Sequence, residues 1–367
     1  MKKKVLSVLL CAAMVATLAI GCGGNGGDGG NAGDDKQSTS DDANKGGDDA
    51  DKGGSDKKVL AVVPKSAGNP YNEREVAGFE EVAKAAGYEV VVKYPEQATA
   101  DAQQSVIQSL ISQDVDAICL AANDENALQA SLEDAMAAGI KVCCMDSKVN
   151  AASRATFVNQ AGTKEIGETL MEAVYDLADG ECKWAILSAT SQAANQNAWI
   201  DAMKEIMKDE KYSKLELVEV AYGDDEPQKS TDQTQALLEK YSDLKVICAP
   251  TTVGINAAAK VLQDKGSSVK LTGLGLPSEM AEYIGEDDEH SCPYMYLWNP
   301  IDVGKLGAYV SIALVEGDIT GAEGETFTAG DLGEYTIVDA GDGGTEIILG
   351  APFKFDPSNI EEWKEIY

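Results

Sequence analysis

The apolar positions of this chain recur in two alternating rhythms. Short runs rich in β-branched residues, such as 59–63 (Val-Leu-Ala-Val-Val), read as strands buried on both faces. Longer stretches with apolar residues three and four apart read as helices with one buried stripe. Strand 59–63 leads through a polar loop, 64–71, into a helix whose Val76, Phe79, Val82, Ala83 and Ala86 share a face. Asn72 and Glu75 have capping-box spacing at its start, and Gly87 closes it. The unit repeats as strand 88–94, a helix capped at Thr99 with Val106, Ile107, Leu110 and Ile111 inward, strand 116–121, helix 125–138 closed by Gly139, and strand 140–145 ending at Asp146.

Residues 147–160 read as a crossing, after which the pattern restarts. It runs through helix 163–177, strand 184–189, loop 190–196, helix 197–207, strand 215–222 and helix 231–241. Strand 246–249 then ends at Pro250, followed by helix 253–263 and strand 269–274. Helix 278–284, strand 294–297 ending at Trp298, helix 301–315 and β segments 326–338 and 346–349 complete the chain. Such alternation predicts an α/β fold with two doubly wound parallel-sheet lobes joined by a hinge. The order of the segments suggests one lobe from 58–158 plus 276–324, another from 159–275 plus 325–350, and a tail at 351–367.

Composition changes the picture mainly at the N-terminus. Lys2-Lys3-Lys4 followed by the apolar stretch 5–20 reads as an export signal, too short for a stable span. It ends at Gly21-Cys22, which resembles a bacterial lipobox; the resemblance implies that 1–22 is processed and Cys22 lipidated. Residues 23–57 are almost wholly Gly, Asp, Asn, Ser and Lys, the composition of a disordered, extended tether. A net charge of −32 argues against nucleic acid and anionic membrane surfaces as partners.

Most catalytic chemistry lacks its residues here. The one histidine, His290, sits in an acidic loop, which leaves Ser-His or Cys-His catalysis without a placed base. No HExxH or CxxC motif occurs. The run Asp224-Asp225-Glu226 offers too few oxygen ligands at fixed spacing for a calcium loop. Gly273-x-Gly275 lacks the third glycine of a dinucleotide fingerprint. No catalytic residue, metal or cofactor is expected. What the strand ends do carry is Lys65, Tyr71, Asp146, Asn195, Gln196, Thr251, Thr252, Trp298 and Asn299. Ligands bind at that edge of open parallel sheets. Carboxylate, amide and ammonium groups beside an aromatic face suit a small polyol.

Several longer runs carry a resemblance: Val63-Pro64-Lys65, Val158-Asn159-Gln160, Asn195-Gln196-Asn197-Ala198-Trp199, Ala249-Pro250-Thr251-Thr252-Val253-Gly254, the run 272–280 (TGLGLPSEM) and Leu297-Trp298-Asn299-Pro300. From about residue 58 to 367 the chain resembles type 1 periplasmic binding proteins of ABC sugar importers, in the branch that binds rhamnose or autoinducer-2. The resemblance implies a binding protein, not an enzyme, that closes on a small sugar at the outer face of the membrane. Its implied partners are an ABC permease with its ATPase, and the membrane through the lipid anchor; a monomer is expected. By position, the contacts of the autoinducer-2 receptors fall on Lys65, Asp146, Asn195, Gln196, Pro250 and Thr252. Asn195 stands where those receptors carry Asp, and Thr252 where they carry a smaller residue. A 6-deoxyhexose such as rhamnose is therefore the first expectation and autoinducer-2 the alternative. An enzyme on the same fold and a surface sensor are the rival classes.

Overall fold

The computed structural model describes residues 57–367; the expected export signal, the expected lipidation site Cys22 and the expected tether up to residue 56 lie outside the described residues. The first lobe is built from β1 (Val59–Val63), α1 (Pro70–Ala85), β2 (Glu89–Val92), α2 (Ala100–Ser112), β3 (Ala117–Leu120), α3 (Gln129–Ala137), β4 (Lys141–Met145) and β5 (Phe157–Asn159). These strands pair in parallel in the order β5-β4-β3-β1-β2. The second lobe follows with α4 (Thr163–Leu177), β6 (Cys182–Ser188), α5 (Ala194–Ile206), β7 (Leu215–Tyr222), α6 (Pro227–Lys240), β8 (Leu244–Ala249), α7 (Thr252–Asp264), β9 (Lys270–Gly273), α8 (Pro277–Met280) and β10 (Met295–Leu297). Its parallel sheet runs β7-β6-β8-β9, and β10 adjoins it through a bridge from Tyr296 to Leu274.

The chain then returns to the first lobe with α9 (Pro300–Glu316), β11 (Thr326–Thr328), β12 (Glu334–Thr336), β13 (Val338–Asp339) and β14 (Thr345–Ile348). β14 pairs in parallel with β5 and carries β13 at its edge, which brings the first sheet to seven strands. A last crossing leads to β15 (Phe353–Phe355), antiparallel to β10, and α10 (Ile360–Trp363).

This pairing corrects the lobe boundaries expected from sequence. Residues 276–298 extend the second lobe instead of opening the first. Residues 325–350 join the first sheet, and 351–367 form a strand and helix with Phe355 and Tyr367 buried, not a tail. The crossings therefore lie after β5, between β10 and α9, and between β14 and β15. Strands of two to four residues whose partners are remote in sequence leave no periodic signal to read. β5 is such a strand, inside the stretch taken as a plain crossing.

Local chemistry accounts for the shifted helix starts. Asn69, not Asn72, caps α1: its side chain accepts from the Tyr71 amide at 2.9 Å, with Pro70 in the first turn. α3 begins at Gln129 because the Asp124 carboxylate accepts from the amides of Asn126 and Ala127, both at 2.8 Å, holding that stretch as a turn. α5 begins at Ala194 and so takes Asn195 and Gln196 into its first turn, where a loop was expected. The six cysteines of the described chain are free and buried, with Cys143 and Cys144 on opposite faces of β4 in different cores.

Two glycines set the packing that matters most for the cleft. A Cβ on Gly304 would lie 1.8 Å from the carbonyl oxygen of Glu75, and one on Gly78 would lie 2.0 Å from that of Ile301. Only glycine lets α1 and α9 approach this closely. The contact buries the inner face of α1, Glu75 included.

A polar clamp holds the late strands to the first lobe. Arg154, before β5, donates from Nη2 to both Asp342 carboxylate oxygens at 3.0 and 2.8 Å, and Lys148 donates to the same group at 2.6 Å. Burial would raise the Asp342 pKa, but these hydrogen bonds bring it down to about 2. A depressed carboxylate adds stability above its unfolded pKa and loses it as pH falls towards the folded one. Asp342→Ala leaves the buried Arg154 guanidinium without its partner and should cost on the order of 3 kcal/mol at pH 7. Urea unfolding should show the gap to wild type narrowing as pH falls from about 4 towards 2; an equal gap at both pH values would contradict this role.

Candidate ligand-binding site

Between the two sheets lies a cavity walled by the strand-end loops of both lobes. Lys65 enters it directly after β1. Its loop is fixed from behind by buried amides: Asn123 donates to the Lys65 carbonyl at 2.8 Å, and Gln103 donates to the Ala121 carbonyl at 2.6 Å while accepting from the Asn123 amide at 2.8 Å. Asp146 enters after β4 with φ +59°, a left-handed conformation that is costly for a residue with a side chain.

Second-lobe residues meet these two charges. Lys65 Nζ donates to Asn195 Oδ1 at 2.7 Å and to Gln196 Oε1 at 3.3 Å, and lies 3.5 Å from Asp146 Oδ2. Asn195 Nδ2 donates to Asp146 Oδ2 at 3.3 Å. Asn195 thus accepts from the lysine and donates to the carboxylate, which a carboxylate in its place could not do. On the other wall Trp298 Nε1 donates to the Tyr71 hydroxyl at 2.6 Å, and that hydroxyl donates to Asp146 Oδ1 at 3.2 Å. The Trp298 ring meets Trp199 edge to face, with centroids 5.7 Å apart. Pro250, Leu274 and Leu297 extend this apolar side.

Of the residues expected from sequence, Lys65, Tyr71, Asp146, Gln196, Pro250, Thr251, Thr252 and Trp298 all line the cavity, and Asn195 joins it through Lys65 and Asp146. Asn299 does not line it; its side chain accepts from the Ile301 amide and caps α9. His290 stays at the surface, 2.6 Å from Asp287. Sequence reasoning missed Asp225, Trp199 and Glu75 as parts of the site. Trp199 was legible, since it follows Gln196 by three positions and so shares its face of α5. Glu75 was read as a capping-box acid, yet it is wholly buried beside the cavity: Asn72 donates to its Oε2 at 3.3 Å, and its Oε1 has no partner.

Lys65 faces Asp146, Glu75 and Asp225, more carboxylates than its one charge balances. Burial raises the pKa of all three, and Asp146 raises those of Glu75 and Asp225 further while Lys65 opposes the rise. Burial and the neighbouring carboxylates also push the Tyr71 hydroxyl well up, so it stays a donor. Asp146 has Lys65, Tyr71 and Asn195 to stabilise its charge; Glu75 has one amide and an orphaned oxygen. Glu75 is therefore the group pushed furthest towards its neutral form, by burial and by Asp146. Such a cavity can bind a compact neutral molecule with many hydroxyls and one apolar side.

A model of the periplasmic binding protein domain matches residues 60–319. An ABC transporter solute-binding protein from Clostridium phytofermentas, solved with bound L-rhamnose, is 58% identical over 85% of this chain and 99% of its own, with a TM-score of 0.84. A sugar ABC transporter protein from Actinomyces odontolyticus is 38% identical over 83% of this chain and 97% of its own, with a TM-score of 0.66. LsrB from Clostridium saccharobutylicum, solved with AI-2, is 21% identical over 83% of this chain and 99% of its own; its TM-score of 0.77 speaks for the fold alone.

A raised carboxyl pKa means that the folded state binds a proton the unfolded chain has lost, so stability falls as pH rises above the unfolded value of 4.5 towards the folded one. Glu75→Gln mimics the protonated acid and should remove that decline, leaving the variant at least as stable as wild type at pH 7. Glu75→Ala strands the Asn72 amide and opens a void, at a cost of about 2 kcal/mol. Thermal unfolding from pH 4 to 8 reads both. A Glu75→Gln variant that is less stable than wild type at pH 7 would show that the charged form is the native one.

Proposed function

Because this chain belongs to the periplasmic binding protein domain family, we propose that it is the extracytoplasmic binding component of an ABC importer and holds L-rhamnose or a related 6-deoxyhexose between its lobes. The observation that carries this is the two-sided cavity. Lys65, Asp146 and Gln196 offer both donors and acceptors to ring hydroxyls, while Trp298, Trp199, Leu274 and Leu297 offer an apolar wall to the methyl group that a 6-deoxyhexose has and a hexose lacks. The relative solved with L-rhamnose supports the same sugar. The protein makes and breaks no bond; it delivers the sugar, as a monomer, to a permease driven by its ATPase. Ligand roles are proposed for Lys65, Tyr71, Asp146, Asn195, Gln196, Pro250, Thr252 and Trp298.

The anchor belongs to the same proposal and rests on the lipobox-like end at Cys22. One acyl chain holds a protein to a bilayer only marginally, so several are needed. Cys22→Ala should move the protein from the membrane to the soluble fraction, and an unmodified Cys22 in the mass of the native protein would refute lipidation.

Calorimetry against pentoses, hexoses, 6-deoxyhexoses and autoinducer-2 tests the ligand. L-Rhamnose should bind most tightly. Asn195→Asp loses the donor to Asp146 and sets a second carboxylate against it, so it should weaken L-rhamnose about ten- to a hundredfold while sparing autoinducer-2. Wild-type protein that binds autoinducer-2 and ignores L-rhamnose would establish the alternative.

A further inference from the structure

Asp225 follows β7 in the second lobe and occupies a singular place in the cleft. It lines the cavity and also a second, wider polar pocket formed by loops of both lobes, and it is the residue the two share. The loop that carries it is held in a costly shape: Asp224 and Asp225 both have φ +54°. Backbone bonds pin the loop to β6, from the Gly223 amide to the Ser188 carbonyl at 2.9 Å and from the Asp224 amide to the Ala189 carbonyl at 3.0 Å. Lys229 pairs with Asp224 and keeps that carboxylate turned to its own helix.

Thr251 supplies a second, independent sign. It occupies the N-cap of α7, where a threonine hydroxyl ordinarily accepts from a helix amide. Here the side chain makes no cap bond. The hydroxyl instead donates to Asp225 Oδ1 at 2.6 Å. A buried threonine that gives up a cap to orient a carboxylate leaves that carboxylate's second oxygen as a fixed acceptor at the cavity wall. Asp225 lines the same cavity as Lys65 and Asp146, so one occupant can meet all three.

We propose that Asp225 is a ligand-contacting, specificity-determining residue: it accepts a hydrogen bond from one sugar hydroxyl and supplies the second-lobe carboxylate that position 195 does not. Thr251 is its positioning residue. The inference rests on the sugar-binding function proposed above and adds a residue and a role to it. A neutral polyol gains most from such a group, because a fixed anionic acceptor discriminates strongly between a hydroxyl and a hydrogen at one ring position.

The test is a set of calorimetric titrations on wild type, Asp225→Asn, Asp225→Ala and Thr251→Val. The ligands are the neutral monosaccharide that wild type binds best in a panel headed by L-rhamnose, and the monodeoxy forms of that sugar. Asp225→Ala and Asp225→Asn should weaken the parent sugar at least tenfold, and Thr251→Val should weaken it less. One monodeoxy sugar should bind wild type at least tenfold more weakly than its parent yet bind Asp225→Asn as well as the parent does, a pattern that a merely structural role would not produce. Variants that bind the parent within twofold of wild type, or that keep every deoxy penalty unchanged, overturn the role of Asp225 while leaving the sugar-binding function intact. If the best ligand is another neutral sugar, the choice of rhamnose fails while Asp225 is still judged by the same cycle. Wild type that binds no member of the panel overturns both.

Discussion

The buried charge of Lys65 is the constraint on which the cleft depends. Removing an ammonium group from water costs several kcal/mol unless partners replace the solvent. Lys65 can only donate, so every partner must accept. Asp146 supplies one acceptor from its own lobe, and Asn195 and Gln196 supply two from the other. The groups that satisfy the charge are thus split across the hinge. A ligand that offers hydroxyls to the same atoms is held fully only when both lobes reach it. Binding and closure are then one equilibrium, driven by the difference in affinity between open and closed states.

The scaffold behind Lys65 explains how so polar a set keeps its geometry. Parallel strands deliver Lys65 and Asp146 from neighbouring places on one sheet edge, since β1 and β4 both flank β3. Gln103 and Asn123 tie the first of these loops to the sheet. The close glycine contact between α1 and α9 seats Tyr71 and Glu75 on the same side. Burial and the charge of Asp146 push the Glu75 carboxyl towards its neutral form, which limits the charge packed around Lys65. The second lobe contributes the first turn of α5 and the starts of α6 and α7, so its contacts move with that sheet as a unit.

Much of this was legible in the chain because parallel strands announce themselves as apolar runs, and their carboxyl ends are where polar residues become available. Lys65, Asp146, Thr251 and Trp298 stand out that way, and Pro250 through the family resemblance. Asn195 and Gln196 were found in the right place but on the wrong kind of element, since nothing in the polar stretch 190–196 marks where α5 begins. The lobe membership of β14 and β15 was not legible, because pairing with β5 and β10 is set by contacts far along the chain. Glu75 and Asp225 were hidden for opposite reasons. The first matched a local capping pattern that Asn69 fulfils instead, and the second sat in an acidic run weighed only as a calcium loop. Their burial is a property of the assembled lobes.

Small-angle scattering with and without saturating L-rhamnose, on wild type and on Lys65→Met, tests the central claim most directly. The radius of gyration of wild type should fall when the sugar is added. At the same sugar concentration Lys65→Met should keep its sugar-free value, because the cation shared by the two lobes is gone. A wild-type profile that does not change at saturation, or a Lys65→Met protein that contracts as fully as wild type, would contradict the account.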